Sequence, residues 1–277
     1  SAGLRIESID GEANDFLLDS VVENSDSVVL PGVGLFYSFN RELGLLAGVN
    51  KGFVPNSPGQ TEEIDPEESW NYELGLRYAS GVSSAELIGF FNDYQNLKGT
   101  CTFSSGCEQQ LDQEFNGGAV DVMGVEMSMR HEFAINDKVS LPIALTYTHT
   151  QSEFQTDFDS TFSQWGQVRK GDELPYMPEH QASVEFTLAS EQWRASIVTK
   201  YIGEMKEASG INTELAGFKT ESFVQLDFSV WHQLSSEMRV YAKLDNLTNE
   251  ATIVSRRPFG ARPGKPRQAT IGLKYNF

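Results

Sequence analysis

Along much of this chain apolar and polar residues alternate one by one. The stretch 267–277 does so without a fault: Ala269, Ile271, Leu273, Tyr275 and Phe277 share one parity, and Gln268, Thr270, Gly272, Lys274 and Asn276 share the other. Successive side chains of a strand point to opposite faces, so the pattern predicts a two-faced strand. The same period marks 71–78, 125–133, 182–188, 224–230 and 239–247, and more weakly 4–10, 28–39, 43–53, 85–94, 141–150 and 193–201. The 85–94 stretch is apolar on both faces, so its assignment rests on its place in the series. About a dozen strands result, with no helical period of useful length.

The links between these stretches carry more information than the strands. Short turns are predicted at Asn40-Arg41, Ser80-Gly81-Val82-Ser83, Asn136-Asp137, Ser190-Glu191 and Ser235-Ser236. Long polar links cover about 11–27, 54–66, 95–116, 152–177, 206–219 and 249–266, and short and long alternate throughout. In an up-and-down meander every second link lies on the same side, so short turns gather on one rim and long loops on the other. That asymmetry belongs to transmembrane barrels. Tyr37, Phe39, Phe53, Trp70, Tyr72, Tyr78, Tyr147, Trp193, Tyr201 and Trp231 fall near strand borders, where aromatic girdles meet the two membrane interfaces. The expectation is an all-β, antiparallel up-and-down transmembrane β-barrel. Amphipathic strands alone also fit a soluble β-sandwich acting as a glycan-binding or adhesive module, or a passive porin-like pore.

Composition narrows the partners. The 277 residues carry a formal charge of −18, and nucleic-acid binding needs an excess of Lys and Arg to neutralise phosphates, so no nucleic-acid partner is expected. No run of about 18 apolar residues occurs, which excludes a transmembrane helix but not a barrel, whose strands leave a weaker signal. The chain opens on Ser1-Ala2-Gly3 and enters a strand almost at once, as a fragment or processed product would.

Candidate chemistry is sparse. Cys101 and Cys107 lie six apart in a Thr/Ser/Gly-rich loop without His or further Cys nearby, which favours a disulfide over a metal or redox pair. Carboxylates crowd the links: Glu12, Asp15, Asp19 and Glu23; Glu62, Glu63, Asp65, Glu67 and Glu68; Asp157 and Asp159. They read first as a solvated acidic surface, because no D-x-D-x-D-G calcium loop is present. His131, His149, His180 and His232 are scattered, with no metal-ligand spacing between any two, so no metal site and no cofactor are expected. No G-x-S-x-G, P-loop or short-range acid–base pair occurs, and no enzyme is predicted.

Several segments together resemble the C-terminal part of a TonB-dependent outer-membrane receptor. They are Asn50-Lys51-Gly52-Phe53-Val54-Pro55, then Pro66-Glu67-Glu68-Ser69-Trp70-Asn71-Tyr72-Glu73-Leu74-Gly75-Leu76-Arg77-Tyr78, then Phe90-Phe91-Asn92-Asp93-Tyr94 and Gly124-Val125-Glu126. Near the end stand Leu244-Asp245-Asn246-Leu247-Thr248-Asn249, Pro263-Gly264-Lys265-Pro266-Arg267 and the terminal Phe277. The run from Ser255 to Gly264 looks most like receptors of the ferric-dicitrate type. The resemblance implies that residues 1–277 are the C-terminal part of the barrel, about half of its ~22 strands. The N-terminal plug and the segment that contacts the TonB system are then expected to be absent from this piece. It further implies a bacterial outer-membrane location, contact with lipid and lipopolysaccharide, and a ferric chelate such as a siderophore complex or ferric citrate as ligand. Guanidinium groups bind carboxylates in a bidentate way. That makes Arg256, Arg257 and Arg262, with Arg169 and Lys170 from a neighbouring loop, the candidate ligand-binding residues; pairing with loop carboxylates or lipopolysaccharide phosphates is the alternative.

Overall fold

The structure, a computed structural model, describes residues 1–16, 19–60, 65–105, 107, 111–257 and 260–277. In chain order the strands are β1 (Ala2–Asp15), β2 (Ser20–Ser38), β3 (Leu43–Val54), β4 (Glu67–Ser80), β5 (Ser83–Gln95), β6 (Lys98–Thr100), β7 (Glu114–Asn116), β8 (Val120–Asn136) and β9 (Val139–Phe154). They continue with β10 (Phe158–Asp159), β11 (Gln167–Val168), β12 (His180–Ala189), β13 (Trp193–Ile202), β14 (Phe223–Gln233), β15 (Met238–Asp245), β16 (Ile253–Ser255), β17 (Arg262–Pro263) and β18 (Gln268–Tyr275). The twelve long strands form one antiparallel sheet in the order β1-β2-β3-β4-β5-β8-β9-β12-β13-β14-β15-β18. The pairs β6–β7, β10–β11 and β16–β17 are small ribbons inside the loops.

Every alternating stretch falls on one of the twelve long strands, overrunning its ends by at most two residues. The last strand stops at Tyr275, short of Phe277. One predicted link, 11–27, is largely ladder: residues 11–15 and 20–27 continue the β1–β2 pairing, with Gly11 opposite Asn24, Glu12 opposite Glu23 and Asp15 opposite Ser20. Ladder bonds join backbone groups, so a hairpin extends through polar residues that leave no hydropathy period. The carboxylates of Glu12, Asp15 and Glu23 therefore stand on a ribbon. Glu62 and Glu63 lie outside the described residues.

The short turns have local causes. The Asn40 side chain accepts from the backbone N–H of Glu42 (2.8 Å) and Leu43 (2.9 Å), and Asn136 does the same for Lys138 and Val139. Asx geometry of this kind closes a turn without help from the rest of the fold. Gly81 supplies the positive φ (53°) that the two-residue turn between β4 and β5 requires.

Register carries the two-faced pattern across the sheet. Val33, Val49, Tyr72, Phe91 and Met123 are successive cross-strand partners, as are Ile143, Phe186, Ile197, Phe228, Leu244 and Ala269. This apolar face is open: Leu74 keeps 60 % of its surface exposed and Ile271 81 %, and among the described residues no second layer covers it. On the opposite face Arg77, Glu86, Ser128, Thr146, Ser183, Lys200 and Gln225 form a matching polar row. Trp231 departs from its expected girdle position: it pairs with Arg194 and Tyr241 on the polar face, with the Arg239 guanidinium 4.1 Å from its ring centre.

A candidate functional site under the loop crown

The described residues of six long connections gather at one rim: those that join β1 to β2, β3 to β4, β5 to β8, β9 to β12, β13 to β14 and β15 to β18. Among the described residues the buried hydrophobic cluster lies here, at the rim end of the sheet and in the loops above it. Val120 and Phe154, at the rim ends of β8 and β9, pack with Val122, Phe162, Trp165 and Val168, flanked by Leu97, Phe115 and Leu174. Trp165 sits edge-on to Phe162 with ring centres 4.9 Å apart. A side chain at Gly117 would stand 2.7 Å from the indole, so glycine is what lets the 96–119 loop lie against it.

Polar contacts bind the loops to one another in sequence around the rim. Asn24 on β2 donates to the Asn56 carbonyl (3.0 Å), and Ser57 donates to Glu114 (2.6 Å). Lys98 reaches both Glu114 (3.3 Å) and the Pro55 carbonyl (2.9 Å), with the Lys98 and Glu114 side chains nearly buried. A buried ion pair survives desolvation only when its remaining hydrogen-bonding capacity is met, and Ser57 and Pro55 help to meet it. Further round, Gln167 bridges to Ile211, and Gly210 donates to the Trp165 carbonyl (2.8 Å). Cys101 and Cys107 are joined by a disulfide, Cα atoms 5.5 Å apart, and pin the tip of the 96–119 loop.

Between this crown and the polar face lies a cavity of about 710 Å³, within the size range of small-molecule sites. Glu126, Thr148 and Gln181 form its floor; Phe162, Trp165 and Tyr176 are among its roof residues. The floor residues are one cross-strand row.

None of the five cationic residues singled out from sequence lines this cavity. Arg257 is buried and spent on the loops: one guanidinium nitrogen donates to the Ser105 carbonyl and to Ser163 Oγ (2.8 Å), the other to the Ser163 carbonyl (2.7 Å). Burial depresses its pKa, opposed by Tyr176, Glu207 and Glu214; a guanidinium starts high enough to stay charged. Arg256 donates to the fully buried Glu207 carboxylate (2.6 Å) and to the Lys219 carbonyl (3.0 Å), and lies over the Phe218 ring. Arg169 is exposed, 3.6 Å from Asp159. Lys170 is held through its backbone N–H to Asp157 (2.7 Å). Arg262, on β17, is exposed and has no side-chain partner among the described residues. Pro258 and Phe259 lie outside the described residues.

Sequence reading missed Phe162, Trp165 and Tyr176, which sit in a loop without periodicity, and Glu126, Thr148 and Gln181, which the alternation had assigned only to a polar face. It also missed His149 and His180: 31 positions apart, they are direct cross-strand partners on β9 and β12.

The closing segment explains its own composition. Asn246, buried and at positive φ (50°), turns the chain out of β15. Its amide donates to the carbonyls of Glu250 (2.9 Å) and Lys265 (2.8 Å), tying the Asn246–Asn249 turn to the Pro263–Pro266 run. Those are the two halves of the sequence signature noted above.

Comparison with known proteins agrees with this architecture. The chain is 23 % identical over 274 residues to the metal-pseudopaline receptor CntO of Pseudomonas aeruginosa, covering 94 % of this chain and 35 % of that protein. The siderophore receptor PiuA of Acinetobacter baumannii superposes with a TM-score of 0.76 at 17 % identity, covering 99 % of this chain and 40 % of that one. The ferric citrate transporter FecA, in its unliganded form, gives 0.75 at 18 % identity, covering 99 % and 42 %. This chain thus spans about a third of the length of the curated relatives it matches. The family described as TonB dependent receptor-like, beta-barrel matches residues 1–247. With its open apolar face, polar inner face and one-sided loop crown, the chain belongs to the TonB-dependent receptor β-barrels of the bacterial outer membrane.

Proposed function

We propose that residues 1–277 form the C-terminal part of a receptor barrel that captures an anionic metal chelate at the cell surface. Ferric citrate and ferric siderophores are the ligand class, and uptake is driven through the TonB system by parts outside this piece. The observation that carries this reading is the cavity between the polar face and the crown, roofed by aromatics that stack on a flat ligand. Arg262, Arg169 and Lys170 are the surface cations that draw the chelate in. Arg256 and Arg257 act by holding the crown together through Glu207, Ser105 and Ser163. Support comes from relatives whose names state a metal-chelate or ferric-citrate cargo.

The test is calorimetric titration of the full-length protein with ferric citrate, with a ferric hydroxamate siderophore and with iron-free citrate. One ferric chelate should bind in preference to free citrate. The triple substitution R169A/K170A/R262A should weaken that binding at least about tenfold, with a reduced salt dependence. Unchanged affinity in the triple variant removes the capture role of these residues. Absence of binding by every ferric chelate removes the functional reading.

A further inference from the structure

The geometry points to a divalent transition-metal site on the outward side of the rim, built by His149, Glu179 and His180. One ligand atom from each lies within 4.8 Å of the others. Antiparallel register places His149 on β9 directly opposite His180, the first residue of β12. The two imidazoles are near-parallel, with centres 4.8 Å apart and planes 23° from one another. Glu179, the last residue of the preceding loop, holds a carboxylate oxygen 3.8 Å from His149 Nδ1 and 3.8 Å from His180 Nε2.

Tetrahedral zinc binds nitrogen and oxygen at about 2.0–2.1 Å, which separates its ligand atoms by about 3.3 Å. Side-chain rotations of a few tenths of an ångström to about 1.5 Å close the difference. The side chains of His149, Glu179 and His180 are 29 %, 57 % and 45 % exposed, and an ion would take His149 Nδ1 from the Glu179 backbone carbonyl 3.2 Å away. The orientation of one ligand is already set. His180 Nδ1 is 2.9 Å from the Tyr147 hydroxyl, leaving Nε2 toward the carboxylate. Outer partners of this kind fix the tautomer of metal-ligating histidines. Gln151 donates to the same Glu179 oxygen at 3.5 Å.

Two imidazoles and one carboxylate suit zinc, nickel or copper(II) and disfavour calcium and magnesium, which take oxygen ligands. Glu179 and His180 also line a cavity of about 400 Å³ that includes Met123 and Met177, so a fourth position is open to water. The site stands outside the chelate cavity and does not depend on it. A bound ion would clamp the stem of the 155–179 loop, whose Trp165 roofs that cavity, to β9.

Zinc chloride titrated calorimetrically into the full-length protein in detergent, with cobalt(II) absorption as a second readout, tests the proposal. Gel migration before and after heating verifies that each variant is folded. The expected result is one zinc equivalent that disappears in H149A/H180A, and in H180Q if the double variant does not fold. Y147F, which keeps all three ligands, should retain the equivalent at about tenfold lower affinity. A wild-type protein that binds no zinc overturns the proposal. So does a zinc equivalent that persists at the same affinity in the folded histidine variants.

Discussion

The sheet and the crown solve opposite problems with the same chain. In the crown Val120, Phe154 and Val168 have no exposed surface and Trp165 keeps 3 %. Lys98 pairs with Glu114 there and Arg256 with Glu207, and a disulfide closes one tip. In the sheet the equivalent apolar residues, Leu4, Val33, Leu74, Phe186 and Ile271, stay open on one continuous face. The crown is folded as a water-soluble protein folds, by burying apolar surface against itself. The sheet leaves that surface to lipid and relies on backbone pairing across every internal strand, because unpaired backbone groups in a bilayer cost several kcal/mol each. Where the two meet, at the rim ends of β8 and β9, Val120, Val122 and Phe154 switch from strand residues to crown core.

Substitutions chosen to separate the two regions sharpen this comparison. The largest effect is expected from Trp165→Ala, a deletion at the centre of the crown core, at about 3–5 kcal/mol. Hydrogen exchange should rise across 97–117 and 158–168, while heat-modifiable migration of the folded barrel persists. Simultaneous loss of both would mean that crown and sheet unfold as one unit. Leu74→Arg, on the lipid face, should destabilise the barrel by about 2–4 kcal/mol in urea unfolding from lipid vesicles. Glu73→Gln, one residue away on the polar face, should change the same measurement by well under half as much.

Smaller effects test the crown's seams. Arg257→Ala leaves the Ser163 carbonyl without its guanidinium donor and the Ser105 carbonyl with only the Ser163 hydroxyl, and should cost about 1–3 kcal/mol locally. It is read as faster exchange at 103–105 and 162–165, and Arg257→Lys should not restore protection, since one ammonium cannot span both loops. The disulfide closes a loop of few residues, so its reduction, or C101S/C107S, should cost about 2–3 kcal/mol at most. Its readout is proteolysis within 101–113, with the sheet unaffected.

These regions were also unequally legible in the sequence. The sheet was readable because a strand with one greasy and one wet face must alternate at period two, and Leu74-Gly75-Leu76-Arg77-Tyr78 can do little else. Alternating short and long links then fixed the topology without any long-range information. The pairing of 11–15 with 20–24 escaped because its ladder needs no side-chain pattern. The crown was opaque for the opposite reason. Its core joins Val120, Phe154 and Trp165 through contacts between loops, which no local period encodes, and its glycines serve backbone approaches visible only in three dimensions. The five cationic residues were found by charge alone, and charge does not distinguish Arg262, which is exposed, from Arg257, which is buried in the seam. His149 and His180 met only through register. Period two sets which face each histidine takes, but the long 155–179 connection leaves the offset between β9 and β12 open, so only the paired strands bring them together.

The most direct test of two solvents for one chain is a nitroxide scan along 71–78 of the full-length protein in lipid vesicles, with 160–167 scanned as reference. Collision rates with oxygen should oscillate at period two on β4, high at positions 72, 74 and 76 and low at 73 and 75. A water-soluble nickel chelate should show no such lipid-phase oscillation in the crown. Equal access of both probes along 71–78, or oxygen maxima at 73 and 75, would contradict the account.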